Sequence, residues 1–304
     1  MSNHLYKKIG GGLVKDKPDK RDFSLGGIFG TINIKDVPME DFIVGTSPIL
    51  DQQSTDFCTA FALTAISAYQ EGISLSPEYT FAQIKRARGE FEEWGASLKD
   101  GLKVAKNIGF LPKDKAPFSL EDKDDSFLRN WSNWPAELDV LAAPHKKEAY
   151  FTVDGQRDRF DSIRAALWQF KNEKRGIYTG SLWRSEWTFA KNGIIPTEQF
   201  QGEYGHAWAI CGQKIINGEP YLVAQLSNGT EIGDGGFFYF PRSVINRELY
   251  NAYMFKDLTE IPKEKIVELL KTEVVIHKDE ARQFWYNKLK ELIQKFLFGP
   301  AERI

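Results

Sequence analysis

Apolar residues recur along this chain in two rhythms, and the change between them falls near its middle. From Cys58 to Gln70 the sequence is Ala-rich with closely spaced apolar positions (Phe61, Leu63, Ile66, Tyr69), which predicts a helix buried on most sides and stopped by Gly72. Ser54, Thr55 and Asp56 stand where its N-cap is needed. Ser76-Pro77-Glu78 predicts a second helix start, with Ser as cap and Pro at the first position. Ser97 to Gly109 predicts a third, with Leu98, Leu102, Val104 and Ala105 as its apolar face and Gly109 at the C-cap. Residues 119–125 are acidic and loop-like, and a further helix is expected over about 161–173, with Ile163, Ala166, Leu167 and Phe170 on one face. Beyond that point the pattern turns β-like. Strands are predicted over 176–183, 206–212, 221–226 and 237–240, with Asn217-Gly218 as a hairpin turn and Gly233, Gly235 and Gly236 leading into the last. Helices first and strands second predict an α+β fold with segregated lobes.

The two ends read differently. Residues 1–48 form an irregular arm, with Gly10-Gly11-Gly12, a charged turn at Lys17-Pro18-Asp19-Lys20, and Gly26, Gly27 and Gly30. An arm of that length without regular structure is stable only across a folded body. It reads as a structural strap; an inhibitory segment cleaved on activation is the alternative. The body then spans 49–258, helical over about 49–150 and β-rich over about 151–258. Residues 259–304 read as a helical C-terminal extension. In it Phe284, Trp285, Leu289, Leu292, Ile293 and Phe296 form an apolar stripe, for packing on the chain's own domain, for a protein partner or for self-association.

Charge and composition narrow the function. The 304 residues carry 40 Lys+Arg against 42 Asp+Glu, so the basic excess of a nucleic-acid binder is missing. No apolar run approaches a membrane span, and no apolar stretch follows Lys7-Lys8 to make a secretory signal. Two cysteines, Cys58 and Cys211, exclude a disulfide framework and point to a reducing compartment, hence a cytoplasmic or, for a phage protein, virion-associated location. No two His fall at i, i+4 and there is no Cys-x-x-Cys, so neither a metal nor another cofactor is expected.

Three side chains carry candidate chemistry. Cys58 opens the most buried-looking helix, where the positive end of the helix dipole favours thiolate and unpaired N–H groups can hold an oxyanion. His206, unlike His4, His145 and His277, stands at the entry to an apolar strand. Gln52, six residues before Cys58, can donate from its amide to the same oxyanion. Taken singly, each is also a common structural residue: a small core thiol, an edge histidine, a solvated loop amide.

Together these segments resemble the papain-like cysteine peptidases, most closely their bacterial and phage members. Pro48 to Ala62 is similar to the nucleophile segment, Gly205-His-Ala-Trp-Ala-Ile-Cys-Gly212 to the His strand, and Ser227 to Phe237 to the glycine-rich segment after the third catalytic residue. Ser76-Pro77-Glu78 and Gly95 to Leu102 resemble the intervening helical segments, and Pro18 to Phe23 the family's lead-in. The 148 residues from Cys58 to His206 lie within the family's spacing of roughly 130–150. The resemblance implies a two-lobe fold, Cys58 as nucleophile, His206 as base and Gln52 in the oxyanion hole, acting on protein or peptide substrates. Thr55 stands where secreted members have a disulfide cysteine. The third position departs from the pattern, because ungapped alignment puts the family's Asn on Leu226 and its neighbouring Trp on Asn228. Asn228 shares a strand face with 226 and is one candidate to orient His206; Gln225 is a second if a bulge shifts the register; a vacant position is the third. Three functions follow: a cysteine peptidase, a papain-fold structural or binding protein with little or no catalysis, and an amidase or transglutaminase-like acyl transferase. Trp183, Trp187 and Trp208 are candidates to line the substrate pocket.

Overall fold

The computed structural model describes residues 11–17, 22–199, 201–202 and 204–255, all within one compact unit, Met1–Leu258. The expected helices at 263–272 and 279–297, with their apolar stripe, lie outside the described residues.

The described helices are α1 (Leu25–Phe29), α2 (Cys58–Glu71), α3 (Pro77–Arg88), α4 (Leu98–Asn107), α5 (Asp125–Arg129), α6 (Leu138–Ala142), α7 (Arg159–Gln169), α8 (Ser185–Thr188) and α9 (Arg242–Glu248). The strands are β1 (Leu13–Val14), β2 (Phe42–Ile43), β3 (Ala96–Ser97), β4 (Tyr150–Thr152), β5 (Ile177–Trp183), β6 (Tyr204–Ile216), β7 (Glu219–Gln225), β8 (Phe237–Pro241) and β9 (Leu249–Phe255). Apart from the short parallel pair β1–β3, the strands form one antiparallel sheet in the order β4-β9-β5-β6-β7-β8, with β2 paired to β6. Helices α2 to α6 precede β4 to β9 in the chain, so the α+β segregation holds.

Local chemistry explains the main elements. Gly72 ends α2 in the left-handed region, at φ +73°, where a residue with Cβ is strained. Ser76 caps α3 with Pro77 at its first position, and Ser97 with Asp100 makes a capping box for α4. Asn217 and Gly218 both have positive φ, as the tight β6–β7 hairpin requires. Two expectations fail here. The N-cap of α2 is Phe57, which makes no side-chain cap bond, rather than Ser54, Thr55 or Asp56. Instead Thr55 Oγ1 donates to the Gln52 carbonyl and Asp56 turns into a buried ionic cluster. The His strand is also longer than expected, because β6 continues to Ile216, where β7 and β2 supply its ladder bonds. β4 and β9 had no prediction, although the aromatic run from Tyr250 to Phe255 carried a strand signal.

α2 sits between the lobes. Phe57, Ala60 and Phe61 join a helical-lobe core with Tyr79, Phe81, Val104 and Leu111. Cys58, Ala62, Leu63 and Ile66 face a second core with Tyr178, Ala207, Ala209 and Tyr253 from the sheet. Tyr178 crosses from β5 and donates its hydroxyl to the Thr59 carbonyl at 3.0 Å. The first turn of α2 is thereby held on the sheet by apolar burial and one directed bond. Leu63→Ala, at a fully buried position of this seam, is expected to cost about 2–5 kcal/mol, read as a lower urea midpoint at unchanged slope.

Candidate active site

The residues around Cys58 are placed by a short zipper between two distant loops. Gln52 N donates to the Ser227 carbonyl at 2.7 Å and Gly229 N to the Leu50 carbonyl at 3.0 Å. Between them Asp51 and Asn228 pair as an antiparallel bridge. Ser227 Oγ donates to Gln52 Oε1 at 2.6 Å, and Gln52 Nε2 donates to the Thr55 carbonyl at 2.8 Å. The Gln52 amide is thus oriented from both ends, in the turn that leads into Cys58.

His206 lies on β6 opposite Ser181 of β5. Its Nε2 is 3.0 Å from Asn228 Oδ1. An amide oxygen only accepts, so Nε2 carries the proton in this pair, and Nδ1 is the ring nitrogen that can exchange a proton with a thiol. Of the three alternatives for the third position, Asn228 therefore reaches the ring. Gln225 instead bonds Ser47 through Nε2 and Oε1. Leu226 is buried, its N–H spent on the Gly236 carbonyl. β7 ends at Gln225, so residues 226–228 leave the ladder. The bridge to Asp51 then fixes Asn228, whatever an ungapped alignment assigns to that column. The Trp183 ring sits edge-on to the imidazole, with centroids 5.4 Å apart.

Cys58 is tied to the same place. It shares a buried apolar cluster with Ala207, the residue after His206, and with Leu13 of the arm. Both Cys58 and His206 are fully buried, at 0% exposure. Burial pushes the thiol up to about 12, with the Asp56 carboxylate acting in the same direction and the backbone bonds opposing them. Desolvation is the largest cause and acts against the helix N-terminus, which favours the anion. It also changes the picture of the arm. Gly12 N donates to the Gly205 carbonyl at 2.9 Å, and Ala96 N donates to the Gly12 carbonyl at 2.8 Å. The strap therefore bonds β6 through Gly205 and β3 through Ala96, and its Leu13 packs in the same buried cluster as Cys58.

Behind the site lies an ionic cluster that sequence reading missed. Asp56 is fully buried. Its carboxylate accepts from Gly95 N and from Arg129 Nη2, the latter at 2.7 Å. Lys85 Nζ donates to the Gly95 carbonyl at 2.9 Å. Burial raises the Asp56 carboxyl pKa, and the Gly95 N–H, Arg129 and Lys85 act against that rise. The cluster staples residues 90–95 to the start of α2, next to the Thr55 position noted above. Charged residues 29 to 73 positions apart leave no local pattern to read. Trp183, Trp187 and Trp208 are core residues rather than pocket lining: all are buried, and Trp208 stacks on Phe240 at 4.4 Å.

Comparison with known proteins agrees with this architecture. No protein-family model and no curated protein matches the sequence. Among solved structures, xylellain, a cysteine protease from Xylella fastidiosa, superposes with a TM-score of 0.68 at 21% identity, covering 83% of this chain and 97% of that one. Digestive procathepsin L 3 of Tenebrio molitor larval midgut gives 0.59 at 14% identity, over 83% of this chain and 77% of that one. Procathepsin B S9 of Trypanosoma congolense gives 0.58 at 14% identity, over 81% and 85%. The chain has the papain-like, two-lobe cysteine protease fold.

Proposed function

We propose that this chain is a cysteine peptidase acting through Cys58 and His206. The observation that carries the reading is the Asn228–His206 bond, formed on β6 one residue before Ala207, which packs in one buried cluster with Cys58. The mechanism follows from these groups. Cys58 passes its proton to His206 Nδ1 and its sulfur bonds the substrate carbonyl carbon. The Cys58 N–H, in a helix turn without a side-chain cap, and the oriented Gln52 amide hold the tetrahedral oxyanion. As the C–N bond breaks, the imidazolium protonates the leaving amine. Water then gives one proton to His206 and its oxygen to the thioester carbon, releasing the acid and restoring the thiol. Asn228 is a positioning residue: it fixes the ring and its tautomer. Main-chain groups of β3 and β6, Ala96 N and Gly205 O, already bind a polypeptide backbone, which supports a peptide substrate. Two unpaired thiols are compatible with a reducing compartment. Among the described residues no helix is long and apolar enough to cross a membrane.

The burial of Cys58 and His206 favours a second reading, a papain-fold binding protein without catalysis. One experiment separates the two. A thiol-directed peptidyl epoxide is applied to the protein and to a Leu13→Asp variant, which puts a carboxylate into the apolar cluster around Cys58, followed by intact mass. The peptidase reading expects a single adduct in the variant, absent in Cys58→Ala and strongly reduced in His206→Ala. A variant whose Cys58 reacts with a small alkylator but never with the epoxide would establish the second reading.

A further inference from the structure

Gly95 sits where charged side chains from three elements meet the main chain. Lys85, on α3, is fully buried. Its ammonium donates to the Gly95 carbonyl at 2.9 Å and to the Glu93 carbonyl, and Glu90 Oε1 lies 3.5 Å from it. Arg88, at the end of the same helix, donates from Nη1 to the same Gly95 carbonyl at 3.3 Å. Its Nε and Nη2 are held by Glu90 and Glu93, each at 2.6 Å. On the other side of Gly95, its N–H donates to the buried Asp56 carboxylate. Cations thus meet the carbonyl of this residue and an anion its N–H. No side chain fits here: φ is +79°, and a Cβ would lie 2.0 Å from the Gly12 carbonyl oxygen.

The Gly95 carbonyl and the Ala96 N–H belong to one peptide group. A cation on the oxygen draws electron density from the nitrogen, and chained hydrogen bonds strengthen one another in a low-dielectric interior. Bonds to charged groups are also roughly twice as strong as neutral ones, so this peptide plane is fixed as well as polarised. Burying an ammonium is expensive, and a neutral donor would tie the carbonyl at less cost. What the charge adds is a stronger donor at the far end of the peptide. That donor, Ala96 N, already holds a main-chain carbonyl, that of Gly12, at 2.8 Å.

We propose that Lys85, assisted by Arg88, is a positioning residue for substrate main chain: its charge orients the Gly95–Ala96 peptide and strengthens the Ala96 N–H as donor to a carbonyl of the bound peptide. The assignment rests on the peptidase reading for the identity of that carbonyl; the action of the charge on the N–H stands apart from it. Because the donor meets main chain, its contribution is alike for peptides of different side-chain sequence.

Titration of Lys85 tests this. Burial, the largest cause, lowers the pKa of its ammonium, and the Arg88 and Arg129 cations act in the same direction. Glu90 and Asp56 act against them, and the Phe81 ring lies 5.3 Å from Nζ. Lys85 therefore loses its proton, as pH rises, below the roughly 10.4 of an ordinary lysine. In the full chain labelled with 15N-alanine, the Ala96 amide proton is expected to move upfield with a midpoint below that value, and Lys85→Met is expected to abolish the movement. A lysine that only fills space would leave this resonance unmoved. A wild-type Ala96 resonance that ignores the titration would overturn the proposal without any variant having to fold. Kinetics supply the second readout, in a Gly12→Val, Leu13→Asp background. There an added Cβ at residue 12 would lie 2.5 Å from the Asp56 carbonyl oxygen, so the Gly12 carbonyl no longer competes for Ala96 N. Lys85→Met in this background is expected to raise KM about tenfold, with kcat within about twofold, for two fluorogenic peptides of unrelated sequence. An unchanged KM, or a loss confined to kcat, would overturn the proposal. Absence of hydrolysis in every chain, with the Ala96 titration intact, would refute the peptidase reading and leave the action of Lys85 on this donor standing.

Discussion

In a Leu13→Asp background, Cys58→Ala is expected to lower kcat/KM for peptide hydrolysis by about 10⁴-fold or more, because the proposed acyl intermediate forms on its sulfur. The same background separates the third position. Asn228→Ala is expected to cost about 10²-fold, mainly in kcat, since the imidazole loses its 3.0 Å partner and its preferred tautomer while the groove is untouched. Leu226→Asn is expected to give no gain. Its side chain is enclosed and its backbone already bonded to Gly236, so a new amide there buries polarity without reaching the ring. A rise in activity with Leu226→Asn, or full activity in Asn228→Ala, would remove Asn228 from the mechanism. Steady-state kinetics on a fluorogenic peptide reads all three.

The second large effect concerns stability. Arg129→Ala is expected to destabilise the fold by about 3–5 kcal/mol, because it leaves the Asp56 carboxylate buried without its ion-pair partner. Asp56 has 0% exposure and Arg129 only 7%, so water does not replace the lost contact. Replacing both at once, Asp56→Asn with Arg129→Met, is expected to recover most of that loss, since no unpaired charge remains. Urea titration measures both. The double variant also tests what the cluster positions. Gly95 N would lose its charged acceptor, loosening the edge at Ala96 on which the Gly12 carbonyl rests. Faster Cys58 labelling at near-normal stability is the expected signature; a single variant as stable as wild type would show that the pair contributes little.

Much of this protein was legible in its sequence where the determining interactions are local. The 3.6-residue spacing and Gly72 marked α2, Ser76-Pro77 marked α3, Asn217-Gly218 marked the β6–β7 hairpin, and the order of elements marked the α+β fold. The proposed pairing of Cys58 with His206 rests on spacing and motif, read through a resemblance that the fold comparison bears out at the level of architecture. Other features are set by contacts between residues far apart in the chain, which no periodicity encodes. The partner of His206 depends on a bridge between Asp51 and Asn228 that pulls 226–228 off their strand. The burial of Cys58 depends on residues far from it in the chain, Leu13 some 45 residues upstream and Ala207 of β6 among them, which share its cluster. The strap was visible as glycine-rich and irregular, but where it lies is decided only by the clearance between two lobes.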